Sequence, residues 1–208
     1  MNPSVIPFSP ACERNKDPIL EVIAELLAAV DSVLEIGAGT AQHAVYFAAA
    51  NPQLSWQTSD LAENLEGIRA QLTNAALPNT PAPVQLDVTQ ASWFAQPARY
   101  PFVYTANTLH IMPWGSVEAL FEQLPAVLEP KGYFVCYGPF KYGGEFTSDS
   151  NRVFDESLRA RGVGSGIRDF EAVANLAQSA GLALVVDHQM PANNCLLYTS
   201  DAADDTDS

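Results

Sequence analysis

The 208 residues, of which 48% are apolar, are enough for one domain with a buried core. A formal net charge of −14, from 10 basic and 24 acidic side chains, disfavours a nucleic-acid partner, because affinity for phosphate backbones comes mainly from Lys and Arg. No apolar run approaches the roughly 20 residues needed to span a bilayer. The N-terminus also lacks the basic and apolar blocks of a secretory signal. We therefore expect a cytoplasmic protein that binds a small molecule and no membrane.

Predicted helices and strands alternate along the chain, starting with a helix at 17–27 that the pair Asp17-Pro18 would open. The further strands are predicted at 32–36, 55–59, 84–86, 102–106, 132–137 and 182–188, with a last one after Asn194. The further helices are predicted from Gln42 and at 62–75, 116–127, 151–160 and 169–180, with a loop at 78–83 and a turn at 129–132. This alternation predicts an α/β fold with a parallel, doubly wound sheet in a single domain.

The segment VLEIGAGT at 33–40 carries the strongest local signal. A short apolar strand runs into Gly37 and Gly39, which can take backbone conformations closed to other residues and let a ligand approach the backbone. The helical pattern from Gln42 completes a strand–turn–helix unit that is typical of nucleotide sites. The next strand ends at Asp60, about 20 residues past the second glycine, where an acidic side chain can meet a pair of ribose hydroxyls.

The turn departs from the dinucleotide fingerprint G-x-G-x-x-G, because Gln42 replaces the third glycine and Glu35 precedes the turn. The motif E-x-G-x-G-T resembles the first motif of class I S-adenosylmethionine-dependent methyltransferases. In that family the turn packs against the methionine part of the cofactor, and the acid after the second strand holds the ribose. The resemblance assigns to the cofactor, besides Glu35 and Asp60, the turn residues Gly37, Ala38, Gly39 and Thr40. A turn that binds nothing and an NAD site are the alternatives.

Polar residues also follow the third and fourth predicted strands, at the edge where an open α/β sheet binds its ligands. Class I methyltransferases place an acid after the third strand, facing the adenine amino group, with an apolar neighbour under the ring. Asp87 and Val88 match these positions, although an Asp at a strand end is also a common turn cap. Asn107 and Thr108 end the fourth strand, where an amide can orient a nucleophile or accept a hydrogen bond from the amino group of methionine.

Histidines are the candidate bases, since methyl transfer needs alignment and, for a protonated nucleophile, a proton acceptor. We expect His110, just past the fourth strand, to be this base, with Asn107 beside it; a histidine that is hydrogen-bonded in a turn is the alternative. His43, on the helix after the glycine turn, is expected to lie near the cofactor. The three His and three Cys residues lack metal-site spacing, so we expect free thiols and no metal.

Three longer blocks are unusual: SPACERNKDPIL at 9–20, NTLHIMPW at 107–114 and YGPFKYGGEFTSDSNRVFDESLRARG at 137–162. They resemble the uncharacterised methyltransferase-like family that includes methyltransferase-like 26. The resemblance implies a Rossmann-like class I methyltransferase fold with seven strands, the last antiparallel, and helices on both faces. It also implies that the N-terminal segment closes over the cofactor with Arg14, Asn15 and Lys16. The acceptor pocket that it implies is walled by Tyr137, Phe140, Tyr142, Phe146, Asn151 and Arg152.

Residues 195–208 differ from the rest of the chain, since CLLYTSDAAD matches the translation of a transposon end used in sequencing-library adapters. We therefore expect the domain to comprise residues 1–194 and the remainder to be an adapter-derived tail. CLLYTS is still apolar and β-prone enough to pair in the place of the seventh strand, between the fifth and sixth, after a PANN turn. Residues 201–208 are expected to hang free because they are acidic and polar.

Methyl transfer from S-adenosylmethionine to a small molecule is the function that best joins these features. A non-catalytic S-adenosylmethionine-binding or regulatory protein of the same fold would keep the glycine turn and Asp60 but lack a productive acceptor pocket. A nicotinamide oxidoreductase is a third alternative, which Gln42 and Glu35 disfavour. A shared fold is only an analogy for activity, so the identity of the cofactor and the presence of turnover must separate the three.

Overall fold

The computed structural model describes residues 6–90, 99–162, 164–191 and 194–201. Their contacts divide into two compact units. The first unit is built from the chain up to Asp87 together with Tyr100–Thr105, and the second from Val88 onward without that strand. Each unit has its own strands and helices, and the residues predicted for the functional site are divided between the two units.

The strands of the first unit are β1 (Ser32–Ile36), β2 (Ser55–Asp60), β3 (Val84–Gln85) and β4 (Tyr100–Ala106). Its helices are α1 (Pro10–Ala28), α2 (Gln42–Ala50) and α3 (Leu65–Ala75), the last preceded by a 3₁₀ turn at Ala62–Asn64. The strands lie parallel in the order β3-β2-β1-β4, with Glu35 opposite Thr58 of β2 and Tyr104 of β4. The carboxyl ends of β1 and β2 therefore reach the same edge, where the glycine turn and Asp60 lie.

Helix α1 begins at Pro10, well before the start predicted at Asp17, so that prediction is wrong. The Ser9 hydroxyl caps the helix by accepting a hydrogen bond from the backbone N–H three residues on, and Pro10 fills the first helical position. Ser9-Pro10 thus carries the same start signal as Asp17-Pro18, and Pro18 lies inside the helix. The Asp17 carboxylate instead accepts a hydrogen bond from the Tyr46 hydroxyl.

An aromatic cluster forms the core of the first unit, with Phe47, Trp56 and Tyr104 fully buried. The ring centroid of Phe47, on α2, is 5.4 Å from that of Trp56 and 5.8 Å from that of Tyr104. Tilted and edge-to-face ring pairs of this kind add about 0.5–1.5 kcal/mol each to the stabilisation from burial. The cluster therefore fixes α2, and with it the glycine turn that precedes α2, against β2 and β4.

The second unit contains helices α4 (Trp114–Val127), α5 (Asp149–Arg159) and α6 (Phe170–Ser179). Its strands are β5 (Leu128–Gly138), β6 (Phe140–Tyr142), β7 (Glu145–Phe146), β8 (Arg168–Asp169), β9 (Leu182–Met190) and β10 (Asn194–Asp201). β10 lies between β5 and β9, and the three short strands form a separate sheet in the order β7-β6-β8. The turn predicted at 129–132 is wrong, because β5 runs through it with Lys131 in the left-handed conformation at φ 64°.

The predicted arrangement of the last two strands is confirmed. β10 is antiparallel to both of its neighbours, with Leu196 opposite Tyr137 of β5 and His188 of β9. The expectation that residues 201–208 hang free is wrong for the first of them, since Asp201 pairs with Leu182. The gain of hydrogen bonds on both edges of one strand explains why a β-prone segment pairs here whatever its origin. Residues 202–208 lie outside the described residues.

The predicted fold class is confirmed as α/β with a mostly parallel sheet and an antiparallel last strand. Strand positions agree closely with the sequence pattern in the first unit, where β1 and α2 occupy the predicted residues. Within the described parts of the chain, no helix is both long enough and apolar enough to cross a membrane.

Candidate functional site

The glycine turn follows β1 and is held against the end of β2. Gly37 and Gly39 both take the left-handed conformation, at φ 72° and 56°. The backbone N–H groups of Gly37 and Ala38 each donate to the Ser59 carbonyl at 3.0 Å. A Cβ added to Gly39 would meet no atom within 4 Å, so the outer face of the turn is open. The turn therefore presents backbone without side chains to a ligand.

Asp60 lies at the end of β2 and is buried, with its carboxylate directed at three donors. Oδ2 accepts a hydrogen bond from the backbone N–H of Gly39 at 2.7 Å. Oδ1 accepts from the backbone N–H of Leu61 and from the side-chain amide of Asn64, both at 2.7 Å. These charge-assisted bonds fix the carboxylate beside the glycine turn, where the sequence spacing places it.

Glu35 is also buried, but it turns toward the core of the first unit. Its Oε2 accepts a hydrogen bond from the indole N–H of Trp56 at 2.8 Å. Burial raises the pKa of Glu35 from 4.5 to about 8, against the opposing effect of the Trp56 hydrogen bond. The carboxyl group is therefore mostly protonated at neutral pH and serves to link β1 to β2 through the aromatic cluster.

The predicted cofactor residues of the N-terminal segment are neighbours on α1, but their side chains have different surroundings. Asn15 is buried and its Oδ1 is 2.7 Å from Nε2 of His43. Arg14 is exposed. Lys16 forms an ion pair with Glu13, and its ammonium lies 4.8 Å from the ring centroid of Tyr46, on the outward side of α2. Of the predicted trio, Asn15 is the residue that the described structure links by a hydrogen bond to another predicted site residue, His43.

His43 connects α1 to β4. Besides its bond to Asn15, its Nδ1 lies 3.3 Å from the Tyr104 hydroxyl. The bond at Nε2 to a carbonyl-type oxygen makes Nε2 the protonated nitrogen, so Tyr104 donates to Nδ1. Burial lowers the pKa of His43 to about 4, which keeps the ring neutral and this pattern intact at neutral pH.

Sequence reasoning missed Gln42, which the fingerprint comparison treated only as a missing glycine. Its side chain is buried and hydrogen-bonded to Thr40 of the turn, to the backbone N–H of Ser9 and to Glu13. The Thr40 hydroxyl also lies 3.9 Å from the Cys12 thiol. In the sequence, the replacement of the third glycine by Gln42 is the signal that could have indicated a structural role for this side chain.

Asp87 follows β3 at the same edge as Asp60. The backbone N–H of Leu86 donates to the Asp60 carbonyl at 2.9 Å, which continues the β2–β3 pairing to the residue before Asp87. Asp87 is half-buried and closes the first unit along the chain, while Val88, which is buried, begins the second. The glycine turn, Asp60 and Asp87 are thus the predicted residues that the first unit places along one sheet edge.

In the second unit, Asn107 and Thr108 form a tight turn after β4. Asn107 takes the left-handed conformation at φ 56°, which Asn tolerates better than most residues, and its N–H donates to the Tyr137 carbonyl at 2.8 Å. The Thr108 hydroxyl donates to the Ala106 carbonyl at 3.0 Å. The N–H of Ile111 donates to the Thr108 carbonyl at 3.0 Å, so the segment to His110 is fixed by its own backbone.

His110 is buried, with its ring in edge-to-face contact with Phe154 at 5.4 Å between centroids. A Cβ added to Gly138 would lie 3.5 Å from Nδ1 of His110, which is ordinary van der Waals contact, so the backbone of β5 packs directly beside the ring. Burial, and then the positive charges of Arg168 and Arg161, lower the pKa of His110 to about 4. The ring is therefore neutral at physiological pH, with one nitrogen unprotonated and only weakly basic.

Arg168 clamps the segment that carries His110, and sequence reasoning missed it. Its guanidinium donates to the carbonyls of Leu109 at 3.0 Å, of Gly164 at 3.0 Å and of Met112. Its Cζ atom lies 5.7 Å from the centre of the Trp114 ring. Two of its three acceptors lie more than 50 positions earlier in the chain, so no local sequence pattern indicates this role.

The residues predicted to wall the acceptor pocket have different surroundings. Tyr137 and Phe140 are buried, and Phe146 is half-buried with the Lys141 ammonium 5.6 Å from its ring centroid. The Tyr142 hydroxyl donates to Asp187 at 2.7 Å. Asn151 is buried and donates to the Thr147 hydroxyl, whereas Arg152 is exposed and pairs with Asp149 and Glu156 on its own helix. Arg152 thus pairs within its own helix, and its part in the acceptor pocket stays a prediction.

Among the described residues, no three His, Cys, Asp or Glu side chains lie close enough to hold a metal ion. Cys136 is buried and Cys12 half-buried, both as free thiols. Burial raises the pKa of both thiols, so neither is an activated nucleophile. The chemistry of the two units therefore depends on the glycine turn, the carboxylates beside it and the histidines.

Several solved structures share this fold. An O-methyltransferase family protein from Burkholderia thailandensis superposes with a TM-score of 0.81 at 16% identity, over 92% of this chain and 57% of that one. The S-adenosylmethionine-dependent methyltransferase SibL in its apo form gives 0.75 at 21% identity, over 91% and 55%. The mitomycin 7-O-methyltransferase MmcR gives 0.73 at 17% identity, over 92% and 57%.

The chain thus spans between 55% and 57% of the length of these three proteins. At such identities the likeness shows the fold, which is the Rossmann-like methyltransferase fold predicted from the glycine turn. The resemblance to the family of methyltransferase-like 26 stays a prediction. A family model described as "Protein of unknown function (DUF938)" matches residues 6–200, from the segment before α1 into β10. The chain belongs to the DUF938 family.

Proposed function

We propose that this protein is an S-adenosylmethionine-dependent methyltransferase that acts on a small molecule. The observation that carries the proposal is the hydrogen bond between Asp60 and Gly39, which joins an open glycine turn to a carboxylate across the ends of two parallel strands. The methyltransferase fold of the similar structures supports the proposal by analogy. The net charge of −14 favours a small acceptor over a nucleic acid.

The residues present fit the cofactor. A carboxylate offers about four acceptor positions, and the Asp60 contacts with Gly39, Leu61 and Asn64 fill three of them. A ribose hydroxyl can take the fourth or exchange with the Gly39 amide. The open face at Gly39 leaves room for a ligand to approach the backbone.

In this proposal the first unit binds the cofactor. Asp60 holds the ribose, Asp87 faces the adenine, and the remaining contacts come from Gly37, Ala38, Gly39 and Thr40. When bound, S-adenosylmethionine supplies a methyl group on a sulfonium centre. Asn15 and His43 position α1 beside the turn, and Glu35, being mostly protonated, acts through Trp56 rather than as a charge. Arg14, which is exposed, and Lys16, which pairs with Glu13, stay predictions for the cofactor site.

Asn107 and His110 are the proposed catalytic residues of the second unit. The left-handed Asn107 turn and the backbone bonds after it fix the segment, so His110 is preorganised. His110 would take up, at a ring nitrogen, the proton of the methyl acceptor. Because a pKa of about 4 makes His110 a weak base, the methyl acceptor must itself have a low pKa. Tyr137, Phe140, Tyr142, Phe146 and Asn151 remain candidates for the acceptor side.

The low pKa of His110 is also the observation that favours a second candidate, a non-catalytic S-adenosylmethionine-binding protein. Incubation of the protein with S-adenosylmethionine and a metabolite library, with S-adenosylhomocysteine release as the readout, separates the two. Methyl transfer that is lost in Asp60→Ala and reduced in His110→Ala supports the enzyme. Cofactor binding without turnover on any acceptor supports the binding protein, and absence of both contradicts the proposal.

A further inference from the structure

The side chain of Gln42 joins three parts of the first unit. Its carbonyl Oε1 accepts hydrogen bonds from the backbone N–H of Ser9 at 2.5 Å and from the hydroxyl of Thr40 at 3.0 Å. Its amide Nε2 donates to Oε2 of Glu13 at 3.4 Å. Gln42 is the first residue of α2, so these bonds connect α2, the glycine turn and the start of α1. A glycine, which the dinucleotide fingerprint has here, makes none of them.

We propose that Gln42 is a positioning residue for the cofactor site, and we call Gln42 with Ser9, Glu13 and Thr40 the Gln42 latch. The latch holds the first turns of α1 against the glycine turn and fixes the rotamer of Thr40. Its role toward the cofactor rests on the function proposed above. Gln42 itself acts through Thr40 and α1, whereas Asp60 is held by its own hydrogen bond to Gly39.

The start of α1 depends on such polar contacts because it has little apolar burial of its own. Pro10, Ala11, Glu13 and Arg14 are exposed, and the first buried apolar side chain of the helix is Ile19. A helix end with few buried apolar contacts opens locally at low cost. Its first N–H groups also lack partners within the helix, so outside acceptors decide its order.

A second contact works beside the latch. Asn15, one turn further along α1, is bonded to His43, the residue next to Gln42 on α2. The two contacts together hold α1 in one register against α2. Ser9 is the N-cap of α1, so the Gln42 latch holds the N-terminal end of the helix. The Asn15–His43 bond holds the residues that follow.

Amide exchange on the full chain without ligand tests the latch itself. In Gln42→Ala, the amides of 13–16 should exchange about tenfold faster, as loss of hydrogen bonds worth about 1.4 kcal/mol implies. Amides of 22–27 and of β1 should keep the parent rate. Gln71→Ala is the matched control, because Gln71 lies in the same groove beside Gln42 and its buried Oε1 has no hydrogen-bond partner in the described structure. Gln42→Glu, which keeps the size and acceptor atoms but places a second carboxylate beside Glu13, replaces the alanine variant if that fails to fold.

Calorimetric titration with S-adenosylhomocysteine tests the consequence for the site. We expect the Gln42→Ala variant to bind about tenfold more weakly than the parent, and Gln71→Ala to bind like the parent. Unchanged exchange at 13–16 in Gln42→Ala would overturn the latch. Faster exchange with unchanged affinity would overturn its role in positioning the site. A parent chain that binds no S-adenosylhomocysteine would contradict the proposed function, while the exchange comparison would still decide the latch.

Discussion

The backbone N–H of Gly39 donates a 2.7 Å hydrogen bond to the carboxylate of Asp60, so the glycine turn and the end of the neighbouring strand form one structural unit. Replacing Asp60 by Ala removes both this bond and the proposed ribose ligand. We expect S-adenosylhomocysteine to bind more weakly by about 1.5–3 kcal/mol, the usual value of hydrogen bonds to a charged group. Glu63→Ala, which removes an exposed carboxylate just after β2, is the control that should bind normally. Parent-like affinity in Asp60→Ala would remove the ribose assignment.

Glu35 should make the stability of the protein fall as the pH rises. Its pKa is 4.5 in the unfolded chain and about 8 in the fold, so the folded state holds the proton more tightly between these values. Stability therefore decreases from pH 4.5 to about pH 8 and levels off above. Glu35→Gln keeps an acceptor for Trp56 and should lose this decrease, as urea unfolding across that range can show. The Trp56 indole N–H resonance of the folded parent should shift as the pH passes about 8, where Glu35 loses its proton; a resonance that stays constant through that pH would refute the raised pKa of Glu35.

The sequence was sufficient for elements whose signals are local. The β-branched run, the two glycines and the helical pattern after them located β1 and α2 at their observed residues, and spacing alone identified Asp60. The start of α1 was not decided by local signals, because Ser9-Pro10 and Asp17-Pro18 offer the same cap and first position. The choice is made by contacts of the first turns with Gln42 and His43, which lie far along the chain.

The same reasoning explains which site residues were missed. Gln42 bonds to Ser9 and Arg168 bonds to Leu109, which lie 33 and 59 positions away in the chain, so no short sequence window contains either pair. The lowered pKa of His110 could not be predicted from the sequence either, because it arises from burial and from the charges of Arg168 and Arg161. A motif can indicate that a histidine follows a strand, but its basicity is a property of the folded surroundings.

Arg168 should stabilise the second unit through geometry and lower the pKa of His110 through charge. Arg168→Ala loses charge-assisted bonds to three backbone carbonyls, and we expect a loss of about 1.5–3 kcal/mol in the free energy of unfolding. It should also raise the pKa of His110 above about 4. Arg168→Lys separates the effects, because lysine keeps the charge but not the planar fork. Urea unfolding and imidazole NMR titration are the measurements. If neither variant is less stable than the parent, the hydrogen bonds of Arg168 do not stabilise the second unit.

The backbone of 196–198 should be protected from amide exchange. These residues pair with β5 on one side and β9 on the other, so their N–H and carbonyl groups are used within the sheet. We expect their exchange to be slow and comparable to that of 134–136 in β5. Exchange of 196–198 at the rate of an unstructured peptide would refute the pairing of β10.

Calorimetric titration of the full chain with S-adenosylhomocysteine, and separately with NAD, tests the central claim most directly. The open glycine turn, the Asp60 carboxylate beside it and Gln42 in place of the third glycine predict saturable binding of S-adenosylhomocysteine at one site, with much weaker or no binding of NAD. Tighter binding of NAD than of S-adenosylhomocysteine would contradict the proposed cofactor and, with it, the proposed methyltransferase.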